Sequence, residues 1–247
     1  MLTRLVSAAL SATLLTLPVH AQSSLGVTNA TLALGLTDAQ AEAGFVHGMI
    51  DVAITDYHGL QANVDYDRTA TGDFGRLGAF LYMTPRAGQK YGLSLMIADM
   101  DDHSFTYGQI GVAGMFAMGD SLDLEVRGAI GMVAQTDLDW ISLGAGLYWA
   151  MTPDLRVSAQ YDIADFEERS FAARGQQLAV GVHYTPQGQP WGIFAEVGHD
   201  WLTGRNGGTG ETTLRAGLTV SFGASNHGQP AFRVWDPMRQ LLRRGLP

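Results

Sequence analysis

Leu122-Asp-Leu-Glu-Val-Arg-Gly-Ala-Ile-Gly-Met-Val-Ala-Gln135 decides the fold class. One parity reads Leu122, Leu124, Val126, Gly128, Ile130, Met132. The other reads Asp123, Glu125, Arg127, Ala129, Gly131, Val133, Gln135. Three charges confined to alternate positions mark a β-strand with one apolar face, because side chains alternate sides only in extended chain. The division recurs on both sides of this stretch. Leu60, Ala62, Val64 and Tyr66 oppose Gln61, Asn63, Asp65 and Asp67. Leu155, Val157, Ala159 and Tyr161 oppose Arg156, Ser158, Gln160 and Asp162. Leu214, Ala216, Leu218, Val220 and Phe222 oppose Arg215, Gly217, Thr219 and Ser221. Phe105 to Met118 is apolar at both parities, so its facing is open.

The runs predict strands over 26–36, 45–55, 59–68, 73–84, 90–100, 105–118, 121–135, 138–151, 154–165, 174–185, 191–203 and 211–223. The alternation is faintest in the first. Even strand numbers favour counting it, which gives about twelve strands, with ten as the alternative. Tight Pro/Gly/Asp turns at 84–88, 119–120, 152–154 and 185–190 alternate with more polar connections at 68–73, 99–104, 165–174 and 203–210. The expected architecture is all-β: one antiparallel, up-and-down transmembrane barrel spanning 26–223.

Arg4, the apolar run Leu5–Leu17 and the small-residue site Val19-His20-Ala21 read as a cleavable export signal over 1–21, followed by a linker over 22–25. The apolar run is too short for a spanning helix, which needs roughly 20 residues. The chain has no cysteine, a net charge of −9, and Lys90 as its single lysine. A soluble β-protein would normally carry many lysines on its exposed face.

Alternation by itself does not say which face is outside, and a soluble lipocalin-like barrel would share it. Three features favour lipid outside. Tyr82, Tyr91, Trp149, Tyr184 and Trp191 gather beside the tight turns, like an interfacial girdle, with Tyr66 and Trp201 available for the opposite rim. The polar face carries small residues such as Gly78, Gly92, Ser94, Gly144, Gly146, Gly181 and Gly198, which suit a crowded interior. The apolar face is almost free of charge. The last strand then resembles the assembly signal of Gram-negative outer-membrane β-barrels, matching at Arg215, Gly217, Val220 and Phe222. That resemblance implies insertion by the barrel-assembly machinery into the outer membrane, among its lipids. The sequence departs from the family pattern in continuing past the terminal aromatic.

With the polar face inside, the lumen holds Asp51, Asp65, Asp67, Asp123, Glu125, Asp162, Glu196 and Asp200 against Arg76, Arg127, Arg156 and Arg215, about −4 in all. Two functions are open. One is a narrow passive pore for small hydrophilic solutes or ions with cation preference. The other is a closed structural or adhesion barrel whose lumen is filled by ion pairs. Pairing of Arg127 and Arg156 with Asp123 and Glu125 would favour filling. Residues 224–247 are expected as a periplasmic basic tail. Within it, Asn226 to Pro230 reads as a linker, and Asp236-Pro237 starts a short helix bearing Arg239, Arg243 and Arg244. The tail could dock on the periplasmic mouth, bind anionic lipid or a partner, or stay without structure.

No enzyme is expected. The outer-membrane phospholipases need a Ser–His pair, and no Gly-x-Ser-x-Gly or His-x-Ser occurs. The outer-membrane proteases use acidic pairs with an Asp-x-His. Here His199 and Asp200 are adjacent, so alternation sends them to opposite faces. His47 and His183 read as satisfied interior histidines. Asp99, Asp101, Asp102 and His103 form an acidic loop, read as solvated charge, so no metal or cofactor is expected. Nothing points to nucleotide or nucleic-acid binding.

Overall fold

A computed structural model describes residues 26–38, 43–69, 72–101, 105–169, 171–223 and 230–244. The export signal, the 22–25 linker, and Asp102 and His103 of the acidic loop therefore lie outside the described residues.

The described residues form twelve antiparallel strands: β1(Val27–Thr37), β2(Ala43–Ala53), β3(His58–Thr69), β4(Gly72–Arg86), β5(Gln89–Met100), β6(Phe105–Ala117), β7(Leu122–Val133), β8(Asp139–Ala150), β9(Leu155–Glu167), β10(Ala172–Tyr184), β11(Trp191–Thr203) and β12(Gly208–Gly223). Each pairs with its sequence neighbours, and β1 pairs with β12 to close the barrel. Closure leaves no unpaired strand edge, the condition for crossing lipid with sheet. A short helix, α1(Met238–Leu242), follows.

The apolar parity faces out. Leu77, Leu93, Ile110, Val112, Ile130 and Leu143 are all exposed, Leu143 to 64%. The stretch that was ambiguous by sequence now has a direction. Tyr107, Gln109, Ala113 and Met115 are buried, while Ile110 and Val112 face out. Tyr91, Trp149, Tyr184 and Trp191 project outward near one end, and Tyr66 does so near the other. Tyr82 is a correction to the expected girdle: it points inward and donates its hydroxyl hydrogen bond to Asp51.

The seam explains the assembly-signal glycine. Gly217 of β12 faces Gly35 of β1. A Cβ on Gly217 would stand 2.9 Å from both the Gly35 Cα and the Phe194 ring. Phe45 and Phe194 cover these bare positions with ring centroids 5.9 Å apart. Any side chain at Gly217 would displace a ring or open the seam.

Both termini of the strand array lie at one end, here called the terminal end. Its turns, 54–57, 87–88, 118–121, 151–154 and 185–190, are short, and Gly88 takes φ +78° in the tightest of them. The connections at the far end, 38–42, 70–71, 101–104, 134–138, 168–171 and 204–207, are just as short. Their expected extra length disappears because the strands run on into the polar rim. Arg68 and Asp73, read as loop, are cross-strand neighbours with nitrogen and oxygen 3.7 Å apart.

Leu143→Arg places a charge on the exposed apolar face. Refolded into lipid vesicles and titrated with urea, this variant should lose about 2–4 kcal/mol, against under about 1 kcal/mol for the rim variant Met151→Arg. Equal costs would mean that this face is not against lipid.

Candidate functional site

The lumen is occupied by the chain's own C-terminal segment, residues 230–244. This corrects the expectation of a tail lying outside the barrel. The segment enters near the terminal end and reaches the far end, where Arg244 donates to the carbonyls of Asp200 and Thr209. It corresponds to the short basic helix read from the sequence. Asp236 Oδ1 accepts the Met238 N–H at 3.1 Å and starts the turn. The placement was not legible because five helical residues are marginal alone and acquire a position only from what surrounds them.

In the terminal half, the segment is extended and the wall reads its backbone. Gln61 receives the Phe232 N–H on Oε1 and donates Nε2 to the Phe232 carbonyl, both at 2.8 Å. Glu125 accepts the Arg233 N–H at 3.0 Å, and Gln109 donates to the Trp235 carbonyl at 2.8 Å. The Phe232 ring stacks on Phe80 with centroids 5.1 Å apart, and the Lys90 ammonium sits 4.7 Å from its centroid. Wall glycines make the room. A Cβ on Gly78 would stand 3.0 Å from Val234, and one on Gly92 3.2 Å from Phe232.

In the far half, the interior is an apolar core rather than a polar channel. Trp235, Met238, Leu241 and Leu242 pack among Phe74, Met96, Met100, Tyr107, Leu138, Trp140, Phe166, Phe171 and Leu202. These wall residues share the inward parity, so the polar reading of that face held only in part. β5 contributes two of them, β4, β6, β8, β9 and β11 one each, and Leu138 and Phe171 lie in connections, too few in any strand to break an alternating pattern.

Charge gathers around the buried wall acids Asp67 and Asp200. Asp67, 2% exposed, accepts from Arg76 at 3.0 Å and from Arg239 at 2.8 Å, and stands 3.7 Å from Arg215 and 3.4 Å from His47. Arg76 also reaches Asp65 at 3.6 Å and Asp236 at 3.4 Å. Tyr107 donates to Asp236 at 2.7 Å. Asp200 takes Gln177 at 2.7 Å and the guanidinium of Arg243. Glu196 is loosely paired with Arg215 at 3.8 Å. Asp51 faces Lys90 at 3.6 Å.

β8 lies between β7 and β9, so Arg156 is not on a strand next to Asp123 and Glu125, yet the basic and acidic groups still meet as a filled lumen requires. Arg127 bridges Glu125 on its own strand at 3.1 Å and Asp162 at 3.0 Å. Arg156 is attracted by Asp123 nearer the terminal end. His47 and His183 are held by neighbours, His183 accepting from or donating to Thr219 at 2.8 Å. His199 faces outward and bonds Thr212.

Lys90 and the tail change the interior charge. The eight wall acids face four arginines and Lys90, which leaves −3. In the segment, Arg233, Arg239, Arg243 and Arg244 against Asp236 give +3, so these named groups balance. A cavity of about 790 Å³ remains beside the segment. It is lined by Asn29, Arg156 and Ser221 at the terminal end and by Glu196, Arg215 and Arg233 deeper in. Among the described residues, no cluster of three or more His, Asp or Glu side chains has the placement to hold a metal ion.

The sequence matches no family model and no curated relative. Solved structures match the fold. The COG4313 outer membrane channel from Pseudomonas putida F1 superposes with a TM-score of 0.60 at 12% identity, over 81% of this chain and 97% of that one. The NanC porin gives 0.57 at 8%, over 77% and 98%. The KdgM porin, solved with disordered oligogalacturonate, gives 0.56 at 14%, over 79% and 99%. This chain shares with these structures the fold of a closed antiparallel β-barrel.

Proposed function

We propose that this protein is a non-enzymatic outer-membrane channel for small hydrophilic solutes, held closed by its own C-terminal segment. One observation carries the reading. Residues 230–244 occupy the lumen, yet no strand pairing ties them to the wall; side chains do so. A plug held by side chains can leave without breaking the barrel ladder. The porin-like fold, the exposed apolar face and the assembly-signal match at Arg215, Gly217, Val220 and Phe222 support an outer-membrane site. In this reading the terminal end faces the periplasm, and export uses residues 1–21.

Cation preference belongs to the open state alone. With the segment inside, its arginines offset the wall acids; with it gone, Asp65, Asp67, Glu196 and Asp200 face water beside fewer cations. The second reading is a permanently filled structural barrel, favoured by the apolar core in the far half.

Planar-bilayer recording separates the two. The full chain should be nearly silent. After a specific protease cuts between Gly223 and Pro230 in the inserted protein, stepwise cation-selective current is expected. Silence after the cut with the segment still in the lumen would leave the filled barrel; silence with the segment shown to be gone would overturn the channel.

Gly78→Leu and Gly92→Leu should each expel the segment, because the added side chains would overlap Val234 or Phe232. The expected readout is higher open probability together with proteolysis of the tail from the terminal side. Tight closure in both variants would contradict plugging by steric fit.

Asp67→Asn removes the negative charge shared by Arg76, Arg215 and Arg239 and puts an amide N–H₂ in place of one acceptor oxygen. Breaking a buried pair of this kind costs about 3–5 kcal/mol. The expected result is a lower urea midpoint and more frequent opening, with cation selectivity reduced in the open state.

A further inference from the structure

The way the segment is held says what else the lumen can hold. A peptide entering a lumen leaves its N–H and C=O groups without water, and each unpaired group costs about 1–3 kcal/mol. The wall meets those groups with side chains from three different strands: Gln61 on β3, Gln109 on β6 and Glu125 on β7. Contacts of this kind ignore side-chain identity and suit any extended chain. Specificity comes from a second set. Phe80, Tyr82 and Lys90 form an aromatic seat for Phe232. Arg76 and Tyr107 receive the Asp236 carboxylate. Asp67 and Asp200 receive Arg239 and Arg243.

We propose that the lumen is a peptide-binding channel for cationic, aromatic-anchored peptides that lie extended in the terminal half and end in a helical turn, with the C-terminal segment as its tethered ligand. The pattern it reads is an aromatic residue at 232, tryptophan then aspartate at 235 and 236, and arginine at 239 and 243. A free peptide with that spacing, from a second copy of this chain or from another protein, would compete for the same seat. The inference shares with the channel reading only the premise that the segment can be displaced.

The test uses the full chain with a protease site between Gly223 and Pro230, cut after insertion into detergent micelles or vesicles. The probe is a synthetic peptide of residues 230–247, labelled at its N-terminus so that the label stays outside the terminal mouth. Either the cut segment should remain bound in one-to-one ratio, or it should leave and the labelled peptide should enter saturably. A peptide carrying Phe232→Ala and Trp235→Ala should bind at least about tenfold more weakly. A scrambled peptide of the same composition should not bind. Loss of the segment with no rebinding would overturn the proposal, as would equal binding of the scrambled peptide. A barrel that unfolds when the segment leaves would overturn it too, since the segment is then a core element and not a ligand. Current recorded in parallel keeps the two readings apart. Peptide binding without current at any stage removes the channel and leaves this inference; current without rebinding does the reverse.

Discussion

Asp67 is buried to 2% exposure, and three guanidinium groups and an imidazole converge on it. An ionised carboxylate in such a place would cost several kcal/mol without partners. Two of its arginines belong to the wall, on β4 and β12. The third, Arg239, belongs to the segment that fills the lumen. The ion cluster therefore joins strands far apart in sequence and fixes the segment's depth. Arg76 extends the cluster to Asp236, so the carboxylate that starts α1 is also the one that locks it to the wall.

That arrangement follows from a barrel whose outer face meets lipid. Charge has nowhere to go but inward, where water is scarce and space is limited. Wall acids outnumber wall bases, and the segment brings the missing cations. Several of its polar atoms stay without a hydrogen bond, among them Arg233 Nη1, Arg239 Nε and Gln240 Oε1. The fit is electrostatically balanced without being fully satisfied. The apolar half acts the other way. Met238 and Leu241 are fully buried, and exposing them to water opposes release. In the proposed channel, opening depends on which of these contributions prevails.

The fold was largely legible. Strand alternation found all twelve strands to within a few residues, including the faint first one, because lipid outside and ions inside impose the same period on every strand. The interior charges were legible for the same reason: Asp67, Arg76, Asp162 and Asp200 each sit at polar parity. Lys90, Gln61, Gln109 and Tyr107 were not read as site residues, although all share the inward parity. A faint sign of the plug existed in β6. Its inward face is apolar where a water-filled pore would be polar, and that is what made its facing ambiguous. Phe74, Trp140 and Phe166 carry the same sign, diluted to one residue per strand.

What the sequence determined by itself is the barrel: its strand order, its outward face, its inward charges and the closing strand. These depend on period-2 alternation and on neighbours along the chain. The tertiary structure alone decided what fills the lumen and which charges meet. Residues 230–244 have no periodicity long enough to declare a location, and Arg239 meets Asp67 across 172 positions of sequence. Contacts of that range are set by the closed shape of the barrel, which exists only once β12 has paired with β1.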